Sequence, residues 1–179
     1  MNKALKEILF TEEQIKDRVK ELGIEITHDY MDRDLFMVGI LKGSFIFMAD
    51  LIREINLPVL IDFMSVTSYG RSATSSGEVK ILKDLDFSVE GRDVLIVEDI
   101  IDTGYTLEYI QKMFITRGAR SVRFATFLDK NEARKVDIKV DYRGYFVPND
   151  FIVGYGLDYS EEYRNLPYVA ALKEEVYSK

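Results

Sequence analysis

The chain has 179 residues, of which 47% are hydrophobic and 31% charged, so at roughly 150 residues per domain it predicts one domain with a buried core. It contains no cysteine, which excludes disulfide scaffolds, thiolate metal sites and cysteine nucleophiles, and its single histidine argues against histidine-rich zinc sites and Ser-His triads. The formal net charge of −7 argues against a nucleic-acid partner, because such proteins present basic surfaces to phosphates.

The N-terminal sequence predicts neither a signal peptide nor a membrane anchor. The opening MNKALKEILFTEEQ lacks an apolar h-region, and no apolar run approaches the ~18 residues of a transmembrane helix. We therefore expect a cytoplasmic protein without a membrane partner.

The first predicted elements are an amphipathic helix and a strand–turn–helix unit. Thr11 and Gln14 form a Thr-x-x-Gln capping pattern. The apolar residues that follow at helical spacing are Ile15, Val19, Leu22, Ile26 and Tyr30. The apolar run 35–41 predicts a strand, and Ser44 is a candidate cap for a second helix that runs to about Asn56.

Beyond this unit, strands and helices alternate up to about residue 130. A helix is predicted at about 106–116, and strands are predicted at 59–67, 79–82, 93–98 and 121–128. This alternation predicts an α/β fold with a mainly parallel sheet, whose ligands lie beyond the carboxyl ends of the strands. Later short strands, which we interpret as a subdomain folded over that sheet edge, are predicted near 137–140, 151–155 and 168–172.

The segment 68–77 is rich in small polar residues and shows no periodicity. It is either a plain surface loop or an active-site lid, and composition alone favours the plain loop. Standard nucleotide fingerprints are missing from the chain. It has no Gly-Lys pair of a P-loop, and Gly154-Tyr155-Gly156 lacks the third glycine of a dinucleotide motif.

The most informative segment is VLIVEDIIDTGYT at 94–106. Glu98 and Asp99 end the predicted strand, and Asp102 follows in a turn that opens a helix. Each feature alone is typical of a solvated strand end or a helix cap. Together they place backbone amides and two threonine hydroxyls as a monophosphate pocket, beside carboxylates that suit vicinal hydroxyls or Mg²⁺. The segment therefore predicts a sugar-phosphate site.

The run VEDIIDTGYTL resembles the phosphoribosyl pyrophosphate signature of the type I phosphoribosyltransferases, and specifically of their hypoxanthine (hypoxanthine-guanine) branch. Three further segments extend the resemblance over 41–164. Leu41–Gly43 resembles the pyrophosphate loop, Ser68–Gly70 the start of a mobile lid, and Phe151–Tyr159 the purine-binding region. At residues 68–80 the resemblance overturns the composition argument and favours the lid.

The resemblance implies a type I phosphoribosyltransferase fold, an α/β fold whose mainly parallel sheet is flanked by helices and carries a small C-terminal hood. The single domain 1–179 would comprise a core at about 35–129 and a hood at about 130–179 that includes the N-terminal segment. The family also implies a homodimer or homotetramer.

The reaction implied by the resemblance transfers a phosphoribosyl group from 5-phosphoribosyl 1-pyrophosphate to hypoxanthine or guanine, with Mg²⁺ as cofactor. Asp102 would be the catalytic base that accepts the proton of purine N7. The residues implied to hold the phosphoribosyl group are Glu98, Asp99, Asp102, Thr103, Gly104, Tyr105 and Thr106. Tyr105 stands where some members carry lysine, which leaves only its side-chain contact in question.

The remaining roles also follow from the resemblance. Pyrophosphate would be held by Lys42, Gly43, Ser68, Tyr69 and Arg164, and the Leu41–Lys42 peptide is typically cis in the family. The purine would be held by Ile100, Lys130, Phe151, Ile152 and Asp158. The implied magnesium ligands are Glu98, Asp99 and Asp158. Without the resemblance, Lys130 would be interpreted as a solvated lysine at a strand end and Phe151 as a core aromatic.

Two alternatives stay open. A regulatory relative would keep the signature but bind DNA or RNA, which requires an added domain or a basic surface that this acidic chain does not suggest. A phosphoribosyltransferase for another base is disfavoured by Lys130 and the segment 151–158, which suit a 6-oxopurine. The residues do not rank hypoxanthine, guanine and xanthine, because backbone groups largely read the 2-position.

Overall fold

The structure is a computed structural model that describes residues 3–68 and 79–178. Its helices are α1 (Glu12–Asp29), α2 (Phe45–Glu54), α3 (Tyr105–Thr116) and α4 (Glu174–Tyr177), with a short 3₁₀ turn at Asn131–Ala133. Its strands are β1 (Leu5–Phe10), β2 (Leu35–Leu41), β3 (Leu60–Ser68), β4 (Val79–Lys83), β5 (Asp93–Ile101), β6 (Ser121–Asp129), β7 (Tyr142–Phe146), β8 (Ile152–Val153) and β9 (Val169–Leu172). Within the described ranges, no helix combines the length and apolarity needed to cross a bilayer.

The main sheet has six strands in the order β4-β3-β2-β5-β6-β7. All neighbouring pairs are parallel except β3 and β4, which are antiparallel. The central strands are continuous apolar runs, LFMVGIL in β2 and VLIV at the start of β5, because both of their faces are covered. The predicted fold class, a mainly parallel sheet flanked by helices, is confirmed.

Helices cover the two faces of this sheet. On one face, buried residues of α1 and α2 pack against alternate strand residues such as Leu95 and Phe127, whose ring lies 5.2 Å from that of Phe47. On the other face, α3 packs against Val94 and Ile96. These two cores fix the sheet between the helices, and the carboxyl ends of β5 and β6 share one edge because the two strands are parallel neighbours.

The predicted helices are present, with one difference in capping. Thr11 caps α1 in a full capping box with Gln14, as predicted. Ser44 occupies the N-cap position of α2 but makes no side-chain cap, because its hydroxyl donates to the carbonyl of Ile40 at 2.6 Å. The second helix ends at Glu54, short of the predicted Asn56.

Strand β5 is longer than the apolar run that predicted it. It continues to Ile101 because Ile100 and Ile101 pair with Leu128 and Asp129 of β6. Glu98 and Asp99 therefore lie within the strand rather than at its end, and the prediction of a strand end at residue 98 was wrong.

A second sheet joins the N-terminal and C-terminal parts of the chain in the order β1-β9-β8. Its strands are antiparallel, and β1 was not predicted. The strand predicted at 137–140 was also wrong, since the backbone turns there and the amide of Ile138 donates to the carbonyl of Val136. The main sheet is instead extended by β7. The boundaries of core and hood stay a prediction.

Candidate active site

Two adjoining cavities lie where β5 and β6 end. The larger, of about 290 Å³, is lined by Asp99, Ile100, Asp102, Lys130, Phe151, Ile152, Leu157 and Asp158. The smaller, of about 120 Å³, is lined by Glu98, Ile100, Ile101, Asp102, Thr103, Gly104, Thr106 and Leu107. Ile100 and Asp102 line both cavities, so a group bound in one lies next to a group bound in the other.

The larger cavity contains every residue expected to contact a purine. Ile100 comes from β5 and Lys130 follows β6, which brings them together because parallel neighbouring strands end at the same edge. Phe151 and Ile152 arrive from the second sheet, and Asp158 follows in the adjoining loop. The cavity thus combines aliphatic side chains, an aromatic ring and a half-buried lysine.

The ring of Phe151 is held by two other aromatic rings while staying accessible. Its centroid lies 5.3 Å from that of Tyr159, edge to face, and 5.3 Å from that of Tyr177. Phe151 itself is 37% exposed. A large apolar side chain that is both braced and exposed at a cavity is suited to stack against a flat ligand.

Glu98 and Asp99 are consecutive carboxyl groups that are largely removed from water. The Oε2 atom of Glu98 is buried and has no hydrogen-bond partner. Burial, followed by the neighbouring charge of Asp99, raises the pKa of Glu98 well above its ordinary value. Burial also raises the pKa of Asp99 to about 6, although the amide of Ile100 donates to it at 2.8 Å and the charge of Arg164 opposes the shift. A ligand that donates hydrogen bonds would stabilise the ionised form of both carboxyl groups.

The loop after β2 approaches Asp99 so closely that any side chain at residue 43 would displace the Asp99 carboxylate. A Cβ atom on Gly43 would stand 1.6 Å from Oδ2 of Asp99. On its other side, the carbonyl oxygen of Gly43 lies 2.1 Å from where Gly156 would carry a Cβ atom. The Leu41–Lys42 peptide that leads into this loop is cis, as the resemblance implies.

The expected pyrophosphate cations belong to one ion-pair network beside the larger cavity. Nζ of Lys42 lies 3.1 Å from Oε2 of Glu161, and Nη2 of Arg164 lies 3.3 Å from the same oxygen. Nη2 of Arg164 is also 2.8 Å from Oδ1 of Asp158, and Nη1 donates to the carbonyl of Gly156 at 2.8 Å. The network joins Lys42 and Arg164 to the cavity through Asp158.

The turn between β5 and α3 forms the smaller cavity. Gly104 is the N-cap of α3 with φ +89°, a conformation that other residues rarely adopt. The first amides of a helix have no partner inside it, so those of α3 are available to an anion. Thr103 and Thr106 line the cavity, whereas Tyr105 is 38% exposed and is not among the lining residues. The structure therefore brings together a helix N-terminus, two hydroxyl side chains and the Glu98 carboxylate.

Of the two expected pyrophosphate residues Ser68 and Tyr69, the structure describes only the backbone of Ser68. Ser68 ends β3, and its backbone pairs with Val79. Tyr69 and most of the predicted lid at 68–80 lie outside the described residues, so the lid stays a prediction.

No group of three or more carboxylate or histidine side chains in the described ranges is placed to hold a metal ion by itself. Mg²⁺ commonly takes only one or two protein carboxylates and completes its shell with water and substrate oxygens. Asp99 and Asp158 line the larger cavity, and Glu98 offers an unpartnered oxygen nearby. These donors fit a magnesium ion that arrives with an oxygen-rich substrate.

Sequence reasoning missed several residues at this site, among them Ile101 and Leu107, which line the smaller cavity. Leu157 lines the larger cavity, and Glu161 pairs with both expected cations. Arg134 donates through Nε to the carbonyl of Asp102 at 3.1 Å. Leu157 and Glu161 could have been found from their position in and next to the purine-region segment, but nothing in the local sequence singles out Arg134.

This chain is similar to known proteins over nearly its whole length. A family model for the phosphoribosyl transferase domain matches residues 7–160. A hypoxanthine-guanine phosphoribosyltransferase of Streptococcus mutans is 58% identical over 175 residues, covering 98% of this chain and 97% of the relative. One from Bacillus subtilis is 55% identical over 177 residues, covering 99% and 98%. A crystal structure of a hypoxanthine phosphoribosyltransferase from Staphylococcus aureus superimposes with a TM-score of 0.95 at 52% identity, covering 98% of this chain and 96% of that chain.

Proposed function

This chain belongs to the phosphoribosyltransferase family, and on that premise we propose that it is a purine salvage enzyme. It transfers the 5-phosphoribosyl group of 5-phosphoribosyl 1-pyrophosphate to N9 of hypoxanthine or guanine and releases IMP or GMP together with pyrophosphate. The observation that carries this function is the cavity in which Ile100, Lys130 and Phe151 meet Asp102. A 6-oxopurine has apolar faces and a polar edge, which match that lining.

In this site the purine lies between Phe151 and Ile100, and its edge meets polar groups. The ammonium group of Lys130 donates to the 6-oxo oxygen, since it has three donors and no acceptor. Backbone groups of Ile152 and Asp158 contact the remaining edge. This arrangement directs N7 of the base towards Asp102, which lines the same cavity.

The phosphoribosyl group occupies the smaller cavity. The 5′-phosphate accepts hydrogen bonds from the first amides of α3 and from the hydroxyls of Thr103 and Thr106. The 2′ and 3′ hydroxyls donate to Glu98 and Asp99. This contact supplies the partner that the buried Oε2 of Glu98 lacks.

The chemical step exchanges one bond at C1 of the ribose for another. The bond from C1 to the pyrophosphate oxygen breaks, and its electron pair leaves with pyrophosphate. Positive charge develops on the sugar ring, and the carboxylates of Glu98 and Asp99 stabilise it once hydrogen bonds from the ribose hydroxyls lower their raised pKa values. N9 then bonds to C1, while Asp102 accepts the proton that N7 releases.

Pyrophosphate is held next to the cavity by Lys42 and Arg164, by the backbone of Gly43, and by Ser68 and Tyr69 of the predicted lid. Charge-assisted hydrogen bonds from Lys42 and Arg164 stabilise the leaving anion. Asp99, Asp158 and Glu98 would hold Mg²⁺ together with water and substrate oxygens, and the ion would neutralise part of the charge of pyrophosphate.

The function is tested by the release of pyrophosphate from the ribosyl donor and magnesium, with five bases assayed in separate wells. We expect release with hypoxanthine and guanine, none with adenine or uracil, and loss of the signal when magnesium is chelated; xanthine completes the ranking. Equal release with all bases, or none with any, would contradict the proposal.

Gly43→Ala should reduce catalytic efficiency with the ribosyl donor. The new Cβ atom would overlap Oδ2 of Asp99, so the carboxylate must move and kcat/KM for the ribosyl donor should fall by roughly tenfold to a hundredfold. The matched control is Gly91→Ala. Gly91 has open space around it but a φ of +68°, so alanine there should lower the free energy of unfolding by about 1 kcal/mol and leave kcat/KM unchanged. Steady-state kinetics and thermal melts of both variants check the prediction, and equal kinetic effects would contradict it.

We also propose that the enzyme is a cytoplasmic homodimer or homotetramer that binds small molecules rather than nucleic acid or membranes. The close relatedness to other members of the family supports this assignment. Light scattering of the purified protein distinguishes a dimer from a tetramer, and a monomer at working concentrations would contradict the proposal.

A further inference from the structure

Three consecutive carbonyl groups, at the last residue of β5 and in the turn after it, are held by one short segment of chain. The amide of Lys130 donates to the carbonyl of Ile101 at 3.0 Å, Nε of Arg134 donates to that of Asp102 at 3.1 Å, and the amide of Lys135 donates to that of Thr103 at 3.0 Å. Only the middle contact is made by a side chain. The base, Asp102, is therefore tied to the segment that also carries the purine contact Lys130.

The guanidinium group of Arg134 spans several fixed acceptors. Besides the Asp102 carbonyl, Nη1 donates to the carbonyl of Ile138 at 3.2 Å and Nη2 donates to Oδ1 of Asp129 at 2.5 Å. The side chain is 13% exposed, and its Cδ lies 3.0 Å from where Gly104 would carry a Cβ atom. A planar fork of donors can hold such a geometry, whereas a lysine ammonium presents its donors at one point.

Asp129, which holds the guanidinium group of Arg134, is itself held by contacts that do not involve the turn. Its carboxylate is 1% exposed, and its Oδ2 accepts from Nε of Arg143 on β7 at 2.7 Å. The carbonyl of Arg143 in turn accepts from Nη2 of Arg18 on α1 at 2.6 Å. If Arg134 is removed, Asp129 keeps one cationic partner, and the same is true if Arg143 is removed.

We propose that Arg134 is a positioning residue that sets the distance between Asp102 and Lys130. The inference rests on the proposed function, in which a single purine must meet Lys130 at its 6-oxo oxygen and Asp102 at N7. Arg134 joins the backbone of Asp102 to the end of β6, one residue before Lys130. Without it, the turn keeps its two amide contacts but loses the one at Asp102 itself.

Arg134→Ala and Arg143→Ala form a matched pair, because each removes one of the two arginines on Asp129 but only Arg134 contacts the turn. We expect Arg134→Ala to lower kcat at least ~tenfold and to raise KM for the ribosyl donor, while Arg143→Ala stays within about twofold of wild type in both. Arg134→Lys keeps a cation for Asp129, so it should melt close to wild type yet share the loss in kcat. This variant keeps the test valid if the alanine variant does not fold.

Chemical rescue separates positioning from a purely structural role. Truncation of Arg134 opens a space that a small guanidinium ion can enter, so low millimolar methylguanidinium should restore kcat of Arg134→Ala several-fold. Methylammonium should not restore it, and neither ion should change kcat of Arg143→Ala. Equal losses of kcat in the two alanine variants, or a loss that follows the melting temperature without rescue, would overturn the inference. A wild-type enzyme that fails to use hypoxanthine would instead overturn the proposed function.

Discussion

Lys130→Met should narrow the preference for hypoxanthine over adenine by at least tenfold. An ammonium group pairs with the 6-oxo oxygen of hypoxanthine but faces the donor amino group of adenine. Lys130 is half-buried in the larger cavity, so an unpaired charge there loses part of its hydration. Sites that depend on such a contact reject the mismatched analogue by ~10⁴–10⁵-fold, and wild-type turnover of adenine should be negligible.

Methionine has a similar length but no charge. It therefore removes both the attraction to the 6-oxo oxygen of hypoxanthine and the cost of an unpaired charge beside adenine. Efficiency with hypoxanthine should fall steeply, while efficiency with adenine changes little or rises. Lys135→Met is the matched control, since that side chain is exposed and is not among the residues lining the cavity. Steady-state kcat/KM for both bases in the three proteins decides the matter. A ratio that does not move in Lys130→Met would place purine selectivity elsewhere.

The parts of the site that local sequence rules predict without the family resemblance are those whose chemistry is contiguous in the chain. Glu98, Asp99 and Asp102 stand within five residues, and the turn that follows them opens a helix directly. Local rules for anion pockets therefore suffice to indicate a sugar-phosphate site. The same holds for β2 and β5, whose apolar runs mark strands covered on both faces.

The features that were missed depend on pairing between distant segments. The length of β5 is set by Leu128 and Asp129, and no pattern within β5 reveals where that pairing stops. At 137–140, Ile138 and Val140 alternate with polar residues as in a strand. Both are buried in an irregular segment, and β7 comes after it. The apolar residues alternate there because two of them are buried, although the segment does not pair with another strand.

Arg134 was missed for a related reason. Its role arises because the 3₁₀ turn at Asn131–Ala133 folds the chain back after β6 and brings the guanidinium group to the Asp102 carbonyl. A lone arginine in a polar loop carries no such signal. Positioning contacts to backbone groups are in general invisible to motif reasoning, since any donor of suitable reach can make them.

Asp102→Asn should lower the turnover number by ~10²–10⁴-fold with little change in the affinity for the ribosyl donor. Asparagine keeps the size of the side chain and the backbone carbonyl that accepts from Arg134, so the turn should retain its shape. What it loses is the ability to accept the proton of N7 as N9 attacks. Among the carboxylates in the described part of the chain, Asp102 alone lines both cavities.

The chemical step of Asp102→Asn is best measured by rapid quench, which separates it from product release. Asp137→Asn is a suitable control, since Asp137 is an exposed carboxylate that does not line either cavity. The control should react at the wild-type rate. If the chemical step of Asp102→Asn also proceeds at that rate, Asp102 serves only to shape the turn, and the proton of N7 must pass to water. A slow step with unchanged donor affinity assigns the proton to Asp102, because a damaged phosphate turn would weaken donor binding as well.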